Sequence, residues 1–116
     1  MDRVLVIDRR CATTRTLGLA CLRRRIGVAF AHNVCDGVCV LLDAPVDLIV
    51  LDVTALQPTP REVAMLVRYV APGVPLVVTV GPETPLEDRV GLELAGFRVL
   101  VHPLSVDELI EKAWDV

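Results

Sequence analysis

The feature that most constrains this sequence is a regular alternation of two kinds of segment. Short runs rich in Val, Ile and Leu are separated by longer segments in which apolar residues recur at helical spacing. Runs that are apolar at nearly every position are typical of strands covered on both faces of a parallel sheet. Five such strands, alternating with five helices, predict an α/β fold with helices on both faces of the sheet. The predicted strands are Arg3–Ile7, Val28–Ala31, Leu48–Leu51, Leu76–Val80 and Phe97–Val101.

The helical segments carry their own start and stop signals. A hydroxyl residue followed three positions later by Glu predicts a helix N-cap at Thr59, Thr84 and Ser105. Glycine after a helical segment predicts a helix end, because glycine adopts the left-handed conformation without strain. The glycines in such positions are Gly27, Gly73 and Gly96. With no linker or internal repeat, we expect a single domain over residues 1–116, a range that also suits the N-terminal part of a longer protein.

Composition disfavours several classes of protein. The formal net charge of −3 gives no overall attraction to nucleic acid, and the basic run Arg23–Arg25 is interpreted as a solvated helix end. No stretch is long and apolar enough to span a membrane, and the N-terminus lacks the pattern of a signal peptide. We therefore expect a cytoplasmic protein without membrane contact or direct nucleic-acid binding, whose four cysteines are free thiols.

Three polar residues stand where predicted strands end. Asp8 follows the first strand, Asp52 follows the third and His102 follows the fifth. Open parallel sheets form their sites at the carboxyl ends of strands, and in the flavodoxin-like order 2-1-3-4-5 these three side chains would converge. The glycine-rich fingerprints of nucleotide binding, GxGxxG and the P-loop, are absent.

Five short segments, in order and at suitable spacings, together carry a family resemblance. They are Val4–Asp8, Val46–Asp52, Val74–Val78, Ala95–Phe97 and Val99–Pro103. On these segments the whole chain resembles the CheY-like receiver domains of two-component response regulators. The resemblance implies a flavodoxin-like (βα)5 three-layer sandwich whose parallel sheet has the strand order 2-1-3-4-5.

The resemblance also implies a phosphorylation site with altered metal ligands. Asp52 matches the aspartate that accepts a phosphoryl group, and Asp8 matches the first of two acidic residues that hold Mg²⁺. Arg9 stands at the second acidic position, where it removes a ligand and adds a positive charge. Asp8 and Asp52 are therefore weak candidates for Mg²⁺ ligands, and we expect no bound cofactor. Arg9 either pairs with one of these carboxylates in place of the cation or points to solvent.

The residues that would respond to a phosphoryl group differ as well. Counting along the chain puts Val80 at the position of the family's sensing hydroxyl, and Thr79 is expected to face the other side of its strand. Val80 cannot donate a hydrogen bond. His102, followed by Pro103, replaces a Lys and is only partly cationic at neutral pH. His102 is either a substitute for that Lys or a structural residue before a proline turn.

These replacements favour a degenerate receiver, or pseudo-receiver, that is not an enzyme and signals by phosphorylation-independent binding of a protein partner or by dimerisation. The alternative is an atypical receiver that still accepts a phosphoryl group on Asp52 from a histidine kinase; otherwise Asp52 is a leftover strand-end carboxylate. The resemblance implies an interaction surface on the fourth helix, fifth strand and fifth helix. The interface candidates are Leu86, Val90, Arg98, Val99, Leu100 and Leu109.

Two other kinds of site are disfavoured. His32, Cys35 and Cys39 are close in sequence, but a structural metal site normally takes four ligands, and a redox pair normally has Cys-x-x-Cys spacing. A small flavodoxin-like enzyme or nucleotide binder would need glycine after the first strand for close approach of a phosphate. Without it, Thr13, Thr14 and Arg15 could still bind an anion at a helix start.

Overall fold

A parallel sheet of five strands organises the computed structural model, which describes residues 2–10, 12–56, 59–102 and 105–114. The strands are β1 (Arg3–Ile7), β2 (Gly27–Ala31), β3 (Leu48–Asp52), β4 (Leu76–Val80) and β5 (Arg98–Val101). Their order across the sheet is β2-β1-β3-β4-β5. The fold class and the strand order predicted from the sequence are confirmed.

Five helices cover the two faces of this sheet. They are α1 (Ala12–Arg23), α2 (Val34–Asp43), α3 (Pro60–Val70), α4 (Leu86–Leu94) and α5 (Val106–Trp114). A short 3-10 turn, Val53–Ala55, follows β3 directly. None of the described helices is long and apolar enough to cross a membrane.

Alternate residues of each strand belong to two separate apolar layers. On one face, Ile7, Leu51 and Val80 pack beneath α2, α3 and α4. On the other face, Val6 and Val50 pack beneath α1 and α5. Burial on both faces explains why the strand sequences are apolar at nearly every position. On the central strands β1, β3 and β4, polar side chains can therefore reach solvent only near the strand ends.

Two of the three predicted N-caps form. The hydroxyls of Thr59 and Ser105 each accept a hydrogen bond from the backbone N–H three residues further on. The prediction that Thr84 caps α4 was wrong, because Pro85 is the N-cap residue and makes no side-chain cap bond. Because α4 begins at Leu86, Thr84 lies one residue before the N-cap position, and its hydroxyl does not cap the helix. The Thr84 carbonyl instead accepts a hydrogen bond from Arg89 Nε at 3.1 Å.

Left-handed residues end α1 and occupy the turns after α3 and α4. Gly73 and Gly96 have φ values of 81° and 107°, as predicted for glycines in these places. Gly27 was predicted wrongly, since it starts β2, and Arg25 takes the left-handed conformation with φ 59°. The N–H of Ile26 reaches back to the carbonyl of Cys21 at 2.9 Å, which is the bonding pattern of a Schellman motif. A non-glycine residue therefore carries the strained backbone at this helix end.

The turn after α4 is also tied to α3. The Nη2 atom of Arg68 donates a hydrogen bond to the carbonyl of Gly96 at 3.0 Å. A Cβ atom at position 96 would overlap the Arg68 guanidinium. Glycine at this position thus supplies both the positive φ and the space for the arginine.

Replacing Arg25→Gly is expected to stabilise the domain by about 0.5–1 kcal/mol. Glycine removes the strain of the left-handed backbone at position 25, which is roughly 1–2 kcal/mol. Part of this gain is lost because glycine has a larger conformational entropy in the unfolded chain. The free energy of unfolding in urea measures the change. As a control, Arg15→Gly at an exposed position inside α1 should destabilise by about 1 kcal/mol. Destabilisation by both substitutions would contradict the assignment of strain to Arg25.

Candidate functional site

A pocket of about 310 Å³ opens at the carboxyl edge of the sheet. It brings together Asp8, Asp52 and His102, the three strand-end residues singled out in the sequence. Five further residues line it: Arg10, Val53, Thr54, Gly81 and Glu83. The predicted convergence of the three polar side chains is therefore present in the fold.

Strand register and alternation explain this convergence. Ile7 pairs with Leu51, so Asp8 and Asp52 leave their strands side by side. Asp8 and Asp52 also follow the alternation of Val6 and Val50, which points them toward the α1 and α5 face. The buried Asp8 carboxylate accepts a hydrogen bond from the backbone N–H of Arg10 at 2.9 Å.

The Asp52 carboxylate accepts hydrogen bonds on both of its oxygens. Oδ2 accepts from the backbone N–H of Thr54 at 3.2 Å and from the Thr54 hydroxyl. Oδ1 accepts from the Thr79 hydroxyl at 3.1 Å and lies 3.4 Å from Nε2 of His102. Two carboxylate oxygens offer about four acceptor positions, so protein groups face nearly all of them. With its side chain 13% exposed, Asp52 has little remaining contact with solvent.

The electrostatics of Asp52 reflect two opposing causes. Burial alone raises the pKa of the Asp52 carboxyl, because it penalises the charged form. The hydrogen bonds from Thr54, Thr79 and His102 outweigh burial, so the pKa lies below its ordinary value. Asp52 is therefore a carboxylate at neutral pH, and it stabilises the fold as long as it stays ionised.

The position of the hydroxyl near Asp52 was predicted wrongly. Thr79 pairs in register with Asp52 across β3 and β4, and its hydroxyl points at that carboxylate. Val80 is fully buried in the layer beneath α2, α3 and α4, so it is the residue that faces away. The sequence count went wrong by one residue because it fixed Val80 from distant landmarks, whereas strand pairing decides which side chain meets Asp52.

The ion pair considered for Arg9 is absent among the described residues. Arg9 is exposed and lines a different pocket, which it shares with His32, Asn33 and Cys35. Arg10, the next residue along the chain, lines the pocket of Asp52 instead. The alternative in which Arg9 points to solvent therefore describes its position better.

The donor atoms of the pocket suit Mg²⁺ poorly. Mg²⁺ needs hard oxygen ligands in nearly octahedral geometry. Here both Asp52 oxygens accept protein hydrogen bonds, and Asp8 accepts one from Arg10. Throughout the described ranges, no group of three or more His, Cys, Asp or Glu side chains could hold a metal ion.

The cysteines outside this pocket are free thiols in the part of the chain that the structure describes. Cys21 is buried, and Cys35 and Cys39 are exposed. Burial raises the pKa of the Cys21 thiol, so the thiol stays neutral. Cys21 therefore packs as a small apolar core residue. Cys11, Pro103 and the side chains of Thr13 and Thr14 lie outside the described residues.

The interface candidates divide into exposed and buried residues. Leu86 and Val90 are exposed on α4, while Arg98 and Leu100 of β5 are half-buried. The two remaining candidates, Val99 and Leu109, were predicted wrongly because they are core residues. Each side chain packs in one of the two apolar layers that cover the sheet, so neither contributes to an exposed surface.

Sequence reasoning missed two polar residues that contact Asp52. Thr79 is the only polar residue of β4, and it is fully buried. A buried hydroxyl costs free energy unless it finds a hydrogen-bond partner, and that signal could have identified it. Thr54 follows Asp52 by two residues, a spacing at which an Asp side chain commonly accepts from the local backbone.

Comparison with solved structures finds many close matches. A two-component response regulator from Clostridium difficile superposes with a TM-score of 0.81 at 18% identity, over 97% of this chain and 92% of that one. The chain has the fold of response-regulator receiver domains. No protein-family model and no curated protein matches its sequence.

Two further receiver structures were determined as assemblies. The receiver domain of Ssk1 from Saccharomyces cerevisiae, crystallised with the phosphotransfer protein Ypd1, gives a TM-score of 0.77 at 20% identity, over 97% of this chain and 86% of that one. The beryllofluoride-activated dimer of the NtrC4 receiver domain gives a TM-score of 0.80 at 20% identity, over 97% of this chain and 93% of that one. At these identities the likeness concerns the fold.

The substitution Thr79→Val should raise the pKa of Asp52 toward its ordinary value, because the carboxylate loses one hydrogen bond. The free energy of unfolding at neutral pH should fall by roughly 1.5–3 kcal/mol, as is usual for a hydrogen bond to a charged group. This difference should shrink as the pH falls through the folded pKa of Asp52, where the carboxylate protonates in both proteins. Carboxyl ¹³C NMR and urea unfolding at several pH values measure the two effects.

Val80→Thr is the matched control for this experiment. It places a hydroxyl in the apolar layer, which should cost about 1–3 kcal/mol, and leaves the pKa of Asp52 unchanged. If Val80→Thr moved that pKa while Thr79→Val did not, the assignment of the two positions would be refuted.

Proposed function

We propose that the chain is a degenerate receiver domain that acts in signal transduction by phosphorylation-independent protein–protein interaction or dimerisation. The receiver fold supports a signalling role, and the state of the Asp52 carboxylate supports the loss of phosphorylation. In this proposal the domain is a cytoplasmic interaction module and catalyses no reaction.

The hydrogen bonding of both Asp52 oxygens to protein groups is the observation that carries the proposal. To accept a phosphoryl group, a carboxylate oxygen must attack phosphorus, and the negative charges of both groups must be neutralised. Each Asp52 oxygen accepts a protein hydrogen bond, and Oδ2 accepts from both the N–H and the hydroxyl of Thr54. An attacking oxygen would have to give up such bonds, each typically worth about 1.5–3 kcal/mol to a charged acceptor.

The groups that would neutralise charge are weak in this pocket. His102 makes only a long hydrogen bond, with 3.4 Å between Nε2 and Oδ1 against a usual length of about 2.7–3.2 Å, and it is charged only when protonated. Arg9 stands in place of a metal-binding carboxylate and lies on another pocket. We therefore propose that the domain works without Mg²⁺.

A second candidate function is an atypical receiver that is phosphorylated on Asp52 by a histidine kinase. The Thr79 hydroxyl favours this alternative, because it provides a hydrogen-bond donor beside the acceptor carboxylate. Arg10 also lines the pocket and could supply positive charge to a bound phosphoryl group. The two functions differ in whether Asp52 forms an adduct.

The partner in either case is a protein. Among the structures of the same fold, the Ssk1 receiver domain was crystallised with a histidine phosphotransfer protein, and the NtrC4 receiver domain is a dimer. These neighbours support a protein partner or a second copy of the chain as the binding target.

Treatment with acetyl phosphate, or with beryllofluoride, in the presence of Mg²⁺ tests the proposal. We expect no stoichiometric adduct by intact-mass spectrometry or by ¹⁹F NMR. Asp52→Asn is the control that locates any adduct that does form. A stoichiometric adduct on the wild-type chain that Asp52→Asn abolishes would contradict the proposed function and establish the phosphorylated alternative.

A further inference from the structure

The outer surface of α2, α3 and α4 is unusually apolar. Seven of the ten large hydrophobic side chains that are exposed in the described residues belong to these three helices. They are Leu42, Met65, Leu66, Tyr69, Leu86, Val90 and Leu94. Single exposed apolar residues are ordinary, but a concentration on one face of a small domain indicates a binding surface.

A groove between α3 and α4 lies within this surface, and we call it the α3–α4 groove. Its volume is about 1230 Å³, and Met65 of α3 and Leu94 of α4 contribute apolar side chains to its two walls. These side chains are 63% and 84% exposed, although both lie on helices whose other faces are buried in the core. The groove borders the pocket of Asp52, with which it shares the lining residues Val53 and Glu83.

The two walls of the α3–α4 groove carry opposite charges. Arg61 lines the groove from the first turn of α3, and Glu87 and Asp88 line it from the first turn of α4. In the described part of the chain, none of these three residues forms an ion pair within its own molecule. The opposite charges therefore remain available to a partner.

Gly91 leaves an open place in the α4 wall. A Cβ atom added there would have no neighbour within 4 Å, and the residue has no need of a positive φ. Glycine inside an exposed helix lowers its stability, so the fold of the single chain gives no reason for it. A surface without a side chain does allow a second helix to approach closely.

We propose that the α3–α4 groove is the interface of a symmetric homodimer. The helices α3 and α4 lie on the same face of a parallel sheet and follow successive strands, so they run in the same direction with their first turns at the same edge. A twofold axis along the groove then lays α3 of one protomer over α4 of its partner. Arg61 of each protomer faces Glu87 and Asp88 of the other, so one contact is formed twice.

Charge complementarity is what selects a second copy as the occupant. The groove offers a basic wall and an acidic wall at the same level, and only a partner with the reverse order of charges matches both. The twofold-related copy presents this reverse order by symmetry. The proposal rests on the interaction role assigned above and specifies both its partner and its surface.

Sedimentation equilibrium over a wide range of chain concentrations measures the dimer constant directly. We expect Arg61→Glu, and separately Glu87→Lys with Asp88→Lys, to weaken the dimer by about a hundredfold, because like charges then face each other twice. Combining all three substitutions should restore the wild-type constant to within about fivefold, since the order of charges is reversed on both walls. A purely structural role for these residues would not give rescue.

Control variants separate the groove from other surfaces. Leu22 is exposed on α1, which covers the other face of the sheet, so Leu22→Lys should leave the dimer constant unchanged. Met65→Lys, inside the groove, should weaken the dimer even if a charge-reversed variant fails to fold, and thermal melting identifies such a failure. Disruption by Leu22→Lys with no effect of Met65→Lys would overturn the proposal.

Failure of the dimer and failure of the proposed function are distinguishable. A wild-type chain that stays monomeric at every concentration overturns the dimer, whatever the outcome of the phosphorylation assay. An adduct on Asp52 contradicts phosphorylation independence, even if the groove variants behave as expected.

Discussion

Burial of the sheet on both faces is the constraint on which the rest of the structure depends. Residues of β1, β3 and β4 must be apolar whichever way they point, because helices cover both sides. Thr79 is the exception within β4, and its hydroxyl is tolerated because pairing of β3 with β4 puts the Asp52 carboxylate beside it. The same pairing that builds the core therefore assembles the site.

In the proposed function, the hydrogen bonds that stabilise the Asp52 carboxylate also make it a poor nucleophile. Hydrogen bonds from Thr54 and Thr79 stabilise the ionised form of Asp52 and lower its pKa. Reaction with an electrophile would have to disrupt this arrangement. A site built for phosphoryl transfer instead keeps its hydrogen-bond donors for the incoming group and its carboxylate oxygens for the metal. The proposed loss of phosphorylation thus follows from the local hydrogen bonds and does not require a closed pocket.

The sequence predicted the features that depend on pattern and failed for those that depend on register. The alternation of apolar runs and helical segments predicted the α/β class, and the ends of the apolar runs located Asp8, Asp52 and His102. The strand order that brings these residues together came from the family resemblance. The choice between Thr79 and Val80 depends on how β3 and β4 pair, which counting along one strand cannot determine.

Surface and backbone details were hard to predict for a related reason. Val99 was assigned to the interface because the resemblance implies an interaction surface that includes the fifth strand, and the apolar identity of Val99 did not distinguish core from surface. Arg25 takes the left-handed conformation because α1 ends at Arg23 and Ile26 must enter the core, so the position of the buried residue overrode the glycine signal at position 27. Tertiary packing decided both cases, and local sequence did not.

The hydrogen bond between Arg68 and Gly96 links the backbone of the turn after α4 to the positive charge on the α3 wall of the groove. Because the guanidinium fills the space of a missing side chain, any larger residue at position 96 would push Arg68 off the carbonyl that now holds it. The released arginine, which already lines the α3 wall of the groove, would then be a mobile cation on that wall. Across relatives of this chain, residues 68 and 96 should therefore change together, so that a backbone requirement restricts how the surface charge can evolve.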